Sequence, residues 1–421
     1  MSVFRNPDKF YKKGYENFNA KKTGKKVNYS QAIADYDKAI AIKSDYADAY
    51  YQRGLAKYYL GDYPSAIADY KEAIKYYTKA IADADYDKAI DIKFDYAEAY
   101  YKRGLAKYNL GDYRSAIADY NKAIDIKSDY ADAYYQRGLA EYNLGDNQTE
   151  VAKYEEAEKF YKNAIADYNK AIEIKSKYAN EAYYSRALAK HSSGDYKGAI
   201  ADYDQAIKIA PDAYAYLNRG LVKANLKDYK NAIKDYDQAI KLKSDYAYAY
   251  NKKGDSNYYL KDYKNAIADY DQAIKIAPNY ADAYFNRGFA KSGLGDSQRA
   301  KGEEQQANKY YKDVIADYNE AIKIAPDDAY AYNNRGFAEF NLKDYTGAIA
   351  DYDQAIKIAP NYAKAFYNRG DAKSNLSRYK EASNDFKEAK ILYDKQGDKS
   401  ASEDAGKRIE QLSSKVNKNS K

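Results

Sequence analysis

The sequence of 421 residues contains no cysteine, no tryptophan and a single histidine, His191. Without cysteine the chain has no disulfide, no thiol nucleophile and no cysteine-ligated zinc or iron–sulfur cluster. One histidine excludes metal sites built from several histidines and leaves a histidine-dependent catalytic triad only one candidate base. We therefore expect no catalytic residue, no bound metal and no cofactor, and we predict that the protein is not an enzyme.

Long apolar runs are missing as well. No segment approaches the roughly 18 consecutive apolar residues that a transmembrane helix requires. The first ten residues, MSVFRNPDKF, become polar within six positions, unlike the apolar region of a secretory signal peptide. The sequence thus predicts a cytoplasmic protein without a membrane-spanning segment.

A large excess of one charge is also absent. Lys and Arg number 70 against 63 Asp and Glu, and most of the resulting charge of +7 comes from residues 1–28. Four of the lysines there belong to the segment Lys21-Lys22-Thr23-Gly24-Lys25-Lys26, which has no interleaved aromatic residue. We interpret this segment as a solvated turn and expect no specific binding of nucleic acid.

Tyrosine, by contrast, is abundant, with 56 residues, and it forms part of a repeat. A glycine that follows a basic residue recurs with an underlying spacing of 34 residues. Its positions are Gly14, Gly54, Gly104, Gly138, Gly220, Gly254, Gly288, Gly336 and Gly370, and Ala187 takes the equivalent position once. Each repeat predicts a first helix, a Gly-Asp-Tyr or Lys-Asp-Tyr turn, and a second helix with alanine and tyrosine on one face.

This pattern resembles the tetratricopeptide repeat (TPR) family of bacterial type, from about Pro7 to Leu392. The family implies an all-α fold, a right-handed α-solenoid in which about ten helix pairs stack into a superhelix. We assign residues 1–392 to ten repeats and residues 393–421 to a C-terminal capping helix with a polar tail. The capping helix is predicted from Ser400 to Val416, where Ile409, Leu412 and Val416 share one face.

Arginine precedes the repeat glycine in seven repeats and Ala187 in one, at a position where the family usually has leucine. These residues are Arg53, Arg103, Arg137, Arg186, Arg219, Arg287, Arg335 and Arg369. The family places this position between the two helices, so each guanidinium needs an acidic partner. Candidate partners precede the second-helix aromatic residue at Asp69, Asp119, Asp202, Asp235, Asp269, Asp317, Asp351 and Asp385. We predict a ladder of Arg–Asp pairs, with a functional anion site as the alternative.

In TPR proteins the first helices line a concave groove, which is therefore the candidate binding site. We predict that its lining is Tyr51, Leu55, Tyr101, Leu105, Tyr135 and Leu139, with the amides Asn218, Asn286, Asn334 and Asn368. Apolar side chains would contact a partner, and amides would hydrogen-bond its backbone, an arrangement that resembles the asparagine ladder of O-GlcNAc transferases. The alternative is ordinary packing between first helices, or solvation of the amides.

Three insertions interrupt the period at about residues 63–77, 147–161 and 297–311. About fourteen residues make four helical turns, so we expect each insertion to extend its second helix by roughly 20 Å. The insertions would present Tyr76, Tyr77, Phe160, Tyr161, Tyr310 and Tyr311 as a ridge for docking or self-association. A tolerated elaboration of the surface is the alternative.

Two functions are consistent with these features. The first is a non-enzymatic interaction scaffold that binds a peptide or helix of another protein in the groove. The second is a structural protein that assembles with itself into an oligomer or filament, through its ends or its insertions. The partner is accordingly a protein or peptide, or a second copy of the chain.

Overall fold

The computed structural model describes residues 6–20, 27–83, 86–150, 153–174 and 179–418. In this part of the chain the secondary structure consists of 21 helices and no strand, as an all-α fold requires. The chain divides into two units, Met1–Pro211 (unit 1) and Asp212–Lys421 (unit 2). The lysine-rich segment at residues 21–26 lies outside the described residues.

Unit 1 contains five helix pairs. Its helices are α1 (Pro7–Phe18), α2 (Tyr29–Ile42), α3 (Ala47–Tyr59), α4 (Tyr63–Asp83), α5 (Tyr86–Asn109), α6 (Tyr113–Ile126), α7 (Ala131–Glu150), α8 (Tyr154–Glu173), α9 (Ala179–Ser192) and α10 (Tyr196–Ile209). Each helix packs on the next, and the first helices of successive pairs also touch, which is the packing of an α-solenoid.

Unit 2 contains five more pairs and a final single helix. Its helices are α11 (Ala213–Asn225), α12 (Tyr229–Leu242), α13 (Ala247–Tyr259), α14 (Tyr263–Ile276), α15 (Ala281–Ala300), α16 (Glu304–Ile324), α17 (Ala329–Asn341), α18 (Tyr345–Ile358), α19 (Ala363–Asn375), α20 (Tyr379–Gln396) and α21 (Lys399–Lys418). We number the pairs from pair 1 (α1 and α2) to pair 10 (α19 and α20).

The turns inside pairs 2, 3, 5, 6, 7 and 9 have the predicted chemistry, whereas pair 10 has Ser377 and Arg378 in place of the glycine or lysine and the aspartate. The first residue of each turn has a positive φ, which is 78° at Gly111 and 62° at Lys261. The aspartate that follows caps the second helix, since the Asp112 side chain accepts a hydrogen bond from the Ser115 backbone N–H. Glycine suits this left-handed conformation, whereas lysine is strained there.

The core is built from one aromatic ring per pair. In every second helix one ring is fully or almost fully buried: Tyr36, Tyr70, Tyr120, Tyr168, Tyr203, Tyr236, Tyr270, Tyr318, Tyr352 and Phe386. The ring packs directly on the repeat glycine, and a Cβ atom added at Gly104 would lie 2.6 Å from the Tyr120 ring. Because no Cβ fits at that distance, the glycine sets how closely the two helices approach.

The predicted Arg–Asp ladder is confirmed. In pair 3, Arg103 Nε donates to Asp119 Oδ2 at 2.8 Å and Nη2 donates to Oδ1 at 2.5 Å. All eight arginines form this bidentate ion pair, and their partners are Asp69, Asp119, Asp167, Asp202, Asp235, Asp317, Asp351 and Asp385. Two details differ from the prediction, because Arg137 pairs with Asp167 and because Asp269 faces Lys253, at 3.3 Å.

The ladder also joins successive pairs. Arg287 Nη1 donates to Asp271 on the preceding second helix at 2.6 Å, and Arg369 reaches Asp353 in the same way. Each guanidinium further lies over the ring three residues before it, as Arg103 does over Tyr100 at 5.2 Å. These arginines are therefore structural residues that hold consecutive pairs in register.

The prediction that the insertions extend the second helices alone is wrong. In pairs 4 and 8 both helices are longer, with 20 residues in α7 and α8, 20 in α15 and 21 in α16. A regular pair such as pair 7 has 13 and 14 residues. Each extended helix therefore gains about two turns, or roughly 10 Å.

The cause is a second glycine–tyrosine contact. Gly145-Asp146 was expected to form a turn, but the helix continues through it, and a Cβ at Gly145 would lie 2.6 Å from the Tyr161 ring. This contact repeats that of Gly138 with Tyr168, seven residues later in α7 and seven residues earlier in the antiparallel α8. The Tyr161 hydroxyl donates to Asp146 at 2.8 Å. Pair 8 repeats the arrangement with Gly295 and Tyr311.

The first insertion differs from the other two. In pair 2 Tyr70 keeps the regular contact with Gly54, and the additional residues follow it, at the end of α4 and the start of α5. The expected aromatic ridge is also largely absent, because Tyr77, Tyr161 and Tyr311 are buried. Tyr76, Phe160 and Tyr310 are partly buried. Half of the proposed ridge is therefore core.

The final helix α21 covers the last pair. Leu412 is buried, and it packs with Ile409 against Phe386. Arg408 Nε donates to the Tyr367 hydroxyl at 3.2 Å, and its Nη2 lies 3.5 Å from Asp371. The side chain of Val416 lies outside the described residues.

Candidate functional site

The tyrosines predicted to line the groove in unit 1 are core residues instead. Tyr51, Leu55, Tyr101 and Tyr135 are buried, and Leu105 and Leu139 are partly buried against the same clusters. The Tyr101 ring lies 5.0 Å from the ring of Tyr130, which precedes the next first helix. The expectation of an open groove at these tyrosines is wrong, because successive first helices lie close enough for the rings to fill the space between them.

The same helix positions in unit 2 line two adjoining cavities. The larger cavity, of about 520 Å³, lies between α13 and α15 and reaches the start of α17. The smaller one, of about 260 Å³, lies between α15 and α17 and reaches α19. Tyr258 and Phe289 line both. We call the two cavities together the unit 2 groove.

Exposed aromatic rings distinguish this groove from the equivalent first-helix positions of pairs 3 and 4 in unit 1. Phe289 is 43 % exposed and Phe337 is 37 % exposed, while Tyr330 at the edge is 60 % exposed. Phe289 and Phe337 occupy the positions that Leu105 and Leu139 occupy in unit 1. The larger rings extend beyond the packed layer between first helices, so apolar surface remains available to a ligand.

Three of the four predicted amides lie in the unit 2 groove. Asn286 lines the larger cavity, and Asn334 and Asn368 line the smaller one. Asn218 lies on α11 and is partly buried, but it lines neither cavity.

The amides hydrogen-bond to neighbouring pairs. Asn286 Nδ2 donates to Asn251 Oδ1 at 3.2 Å and to Asp255 Oδ1 at 3.1 Å. Asn368 Nδ2 donates to Asn333 Oδ1 at 3.0 Å. The amides therefore connect first helices, and a ligand would meet polar side chains that are already held in place.

Acidic side chains surround the larger cavity. Asp255 accepts hydrogen bonds from the Tyr270 hydroxyl and from Lys252 Nζ, both at 2.9 Å. Although burial opposes it, this contact with Asp255 holds the pKa of Lys252 above its ordinary value. Asp282 and Asp328 also line the cavity, so its carboxylates outnumber its single lysine.

His191 lies in α9 and packs against an aromatic ring. Its ring lies 5.7 Å from Tyr196, and burial lowers its pKa. In the described part of the chain no three His, Cys, Asp or Glu side chains are grouped to hold a metal ion.

Family models match most of the chain. A model described as "TPR repeat" matches residues 27–61, 106–145 and 254–295. Models described as "Tetratricopeptide repeat" match residues 181–212, 213–246 and 329–362, as well as 47–80, 363–390 and 282–320. The chain belongs to the tetratricopeptide repeat family. Among curated proteins the comparison finds no match.

Solved structures share only the general fold with this TPR protein. MamA is 25% identical, with 42% of this chain and 96% of MamA covered and a TM-score of 0.36. YrrB, described as a TPR protein with an unusual peptide-binding site, is 21% identical, with 49% and 97% covered and a TM-score of 0.37. Part of a TPR protein from Cytophaga hutchinsonii is 20% identical, with 65% and 98% covered and a TM-score of 0.46.

Membership of the family defines the general role. TPR proteins are generally non-enzymatic, and their repeats support a protein-interaction scaffold whose partners are proteins or peptides. Among the described residues, no helix has the length and apolar character needed to cross a membrane.

Proposed function

We propose that the unit 2 groove binds a peptide segment of a partner protein along the first helices α13, α15, α17 and α19. The observation that carries this proposal is the pair of adjoining cavities that share Tyr258 and Phe289. Together their volumes suit a segment of several residues, since single ligand pockets occupy about 300–1,000 Å³.

The lining of the groove suits a peptide. Covering the part that is still exposed, 43 % of Phe289 or 37 % of Phe337, contributes about 1 kcal/mol per ring, because the rest of each side chain is already buried. The partly buried amides of Asn286, Asn334 and Asn368 carry both donor and acceptor groups, as the alternating groups of a peptide backbone require. Apolar side chains would therefore supply affinity, and amides would position the backbone.

Self-assembly through the insertions has less support. Three of the six aromatic residues that it requires, Tyr77, Tyr161 and Tyr311, are buried between helices of their own chain. At the C-terminal end, Leu412 of α21 packs on the last pair. A covered end does not offer the exposed repeat face that end-to-end stacking needs.

The test is a selection of peptides from a displayed random library on the immobilised full chain. The best peptide is then synthesised with a fluorescent label, and its Kd is measured by anisotropy. We expect the variant Phe289→Asp/Phe337→Asp to bind at least tenfold more weakly, with an unchanged circular dichroism spectrum, because the two rings would form the apolar floor of the site.

The control is Tyr154→Asp, which changes a ring that is 67 % exposed in unit 1. This variant should bind as the wild-type chain does. A selected peptide whose Kd is the same for all three proteins would contradict the proposal. A stable oligomer in light scattering that the Phe289→Asp/Phe337→Asp change dissolves would assign the groove to a second copy of the chain instead.

A further inference from the structure

This inference rests on the proposed function and specifies its ligand. We propose that the larger cavity of the unit 2 groove receives the side chain of an arginine or lysine of the bound peptide. Charge, exposed aromatic rings and a contact elsewhere in the same chain support it independently.

The charge of the cavity favours a cation. Its lining contains Asp255, Asp282 and Asp328 but only one basic residue, Lys252. Lys252 is already held by Asp255, with Nζ 2.9 Å from Oδ2. In the described part of the chain neither Asp282 nor Asp328 forms an ion pair within 4.0 Å. The four charged side chains therefore carry a net charge of −2, which the backbone N–H groups that donate to Asp328 offset only in part, and a basic side chain of the peptide would balance it.

The aromatic rings of the cavity suit the same ligand. Phe285, Phe289 and Tyr330 line it, and two of these rings are substantially exposed. A cation over an aromatic face is attracted by the negative face of the ring, and the attraction strengthens when water is excluded. Arginine and lysine also carry apolar stems that can lie along the rings while their charged ends reach the carboxylates.

The chain shows this recognition at an equivalent position. Asp371 in pair 10 occupies the same helix position as Asp255 in pair 7. Asp371 lies 3.5 Å from the guanidinium of Arg408, which belongs to the packed helix α21. The Tyr367 hydroxyl, three positions before the glycine, accepts from the same arginine at 3.2 Å. A first-helix face of this protein thus already receives a guanidinium from another helix between an aspartate and an aromatic residue.

An acidic segment is the opposite possibility, and the cavity does not suit it. A carboxylate placed beside Asp282 and Asp328 would be repelled, and Lys252 is engaged by Asp255. The net charge of the larger cavity is therefore negative, whereas sites that bind the carboxylates of a peptide are positively charged.

The experiment uses the full chain and the peptides selected from the random library. We expect one peptide position to be enriched in Arg or Lys, beside a large apolar residue. Replacing that basic residue with glutamine should weaken binding at least tenfold to the wild-type chain. The same replacement should weaken binding less than threefold to Asp282→Asn/Asp328→Asn, because the carboxylates that recognise the cation are then neutral. Asparagine still caps α17 at position 328.

The matched control is Asp313→Asn, an exposed carboxylate of α16 outside both cavities. This variant should show the full tenfold effect. Peptides that depend on Phe289 but show no basic enrichment, or that are enriched in Asp or Glu, would overturn this inference and leave the proposed function intact. If no selected peptide depends on Phe289 and Phe337, both proposals fail.

Discussion

Glu141 and Glu339 stand where six other pairs have lysine, three residues after the repeat glycine or alanine. In those six pairs the ammonium lies 2.7–2.8 Å from the ladder aspartate, as Lys107 does from Asp119. In pair 4 two carboxyl groups, Glu141 and Asp167, instead meet beside one cation, Arg137. Glu141 is buried, and its Oε2 has no hydrogen-bond partner among the described residues.

This arrangement makes stability depend on pH. Burial, together with the neighbouring Asp167 carboxyl, raises the pKa of Glu141 from 4.5 to about 8. Similarly, burial and Asp351 raise the pKa of Glu339 to about 7. Between pH 4.5, the ordinary pKa of a glutamate, and these raised pKa values, the two glutamates stay protonated in the folded chain but ionise in the unfolded chain. The free energy of unfolding therefore falls as pH rises through this window. For Glu141 the pKa difference corresponds to a loss of at most about 5 kcal/mol in the free energy of unfolding. Because the surrounding side chains and water relax around an ionised Glu141, we expect a smaller cost of about 2 kcal/mol.

The variant Glu141→Lys tests this reasoning. It recreates the contact seen at Lys107 and should raise the free energy of unfolding by about 2 kcal/mol at pH 8, with little change at pH 5. The reciprocal change Lys107→Glu in pair 3 should lower it by a similar amount at pH 8. Urea unfolding of the full chain, followed by circular dichroism from pH 5 to pH 8.5, measures both. If Glu141→Lys and the wild-type chain unfold at the same urea concentration at pH 8, the carboxyl pair is not buried as described.

Four further substitutions have expected outcomes in the same unfolding assay. The Tyr120 hydroxyl is buried without a hydrogen-bond partner among the described residues, so Tyr120→Phe should be neutral or stabilise the fold by about 1 kcal/mol. Tyr270→Phe should instead destabilise the fold, because it removes a hydrogen bond to Asp255. Lys261→Gly should stabilise by about 0.5 kcal/mol by relieving a positive φ; a loss of stability would contradict this. Arg219→Leu should destabilise by about 3 kcal/mol, and less when Asp235→Leu accompanies it; equal losses would refute the buried pair.

Repeat number and ladder were predictable because they depend on contacts within one pair. Arg103, Gly104 and Asp119 recur at fixed spacing, and such local geometry follows from helical periodicity. The extended pairs were not predicted, because Gly145-Asp146 looks like the turn dipeptide Gly111-Asp112. The available signals were the missing tyrosine after Gly145-Asp146 and the seven-residue spacing of its glycines and tyrosines.

The site was predicted in part, because exposure depends on contacts between pairs. Tyr101 and Phe285 occupy the same helix position, yet Tyr101 fills the space beside Tyr130 while Phe285 lines a cavity. Asn286, which was predicted to line the groove, lies at the wall of the larger cavity, and its contact with a partner stays a prediction. A single repeat does not show which neighbour faces a given position, so the open groove of unit 2 could not be distinguished from the packed helices of unit 1.

Hydrogen exchange of the full chain, with and without the selected peptide, locates the binding site most directly. The account predicts slower exchange on bound α13, α15 and α17, with α3, α7 and the second helices of unit 2 unchanged. Protection should be absent in Phe289→Asp/Phe337→Asp at the same peptide concentration. Protection confined to unit 1, or to the second helices, would contradict the claim that the unit 2 groove is the binding site.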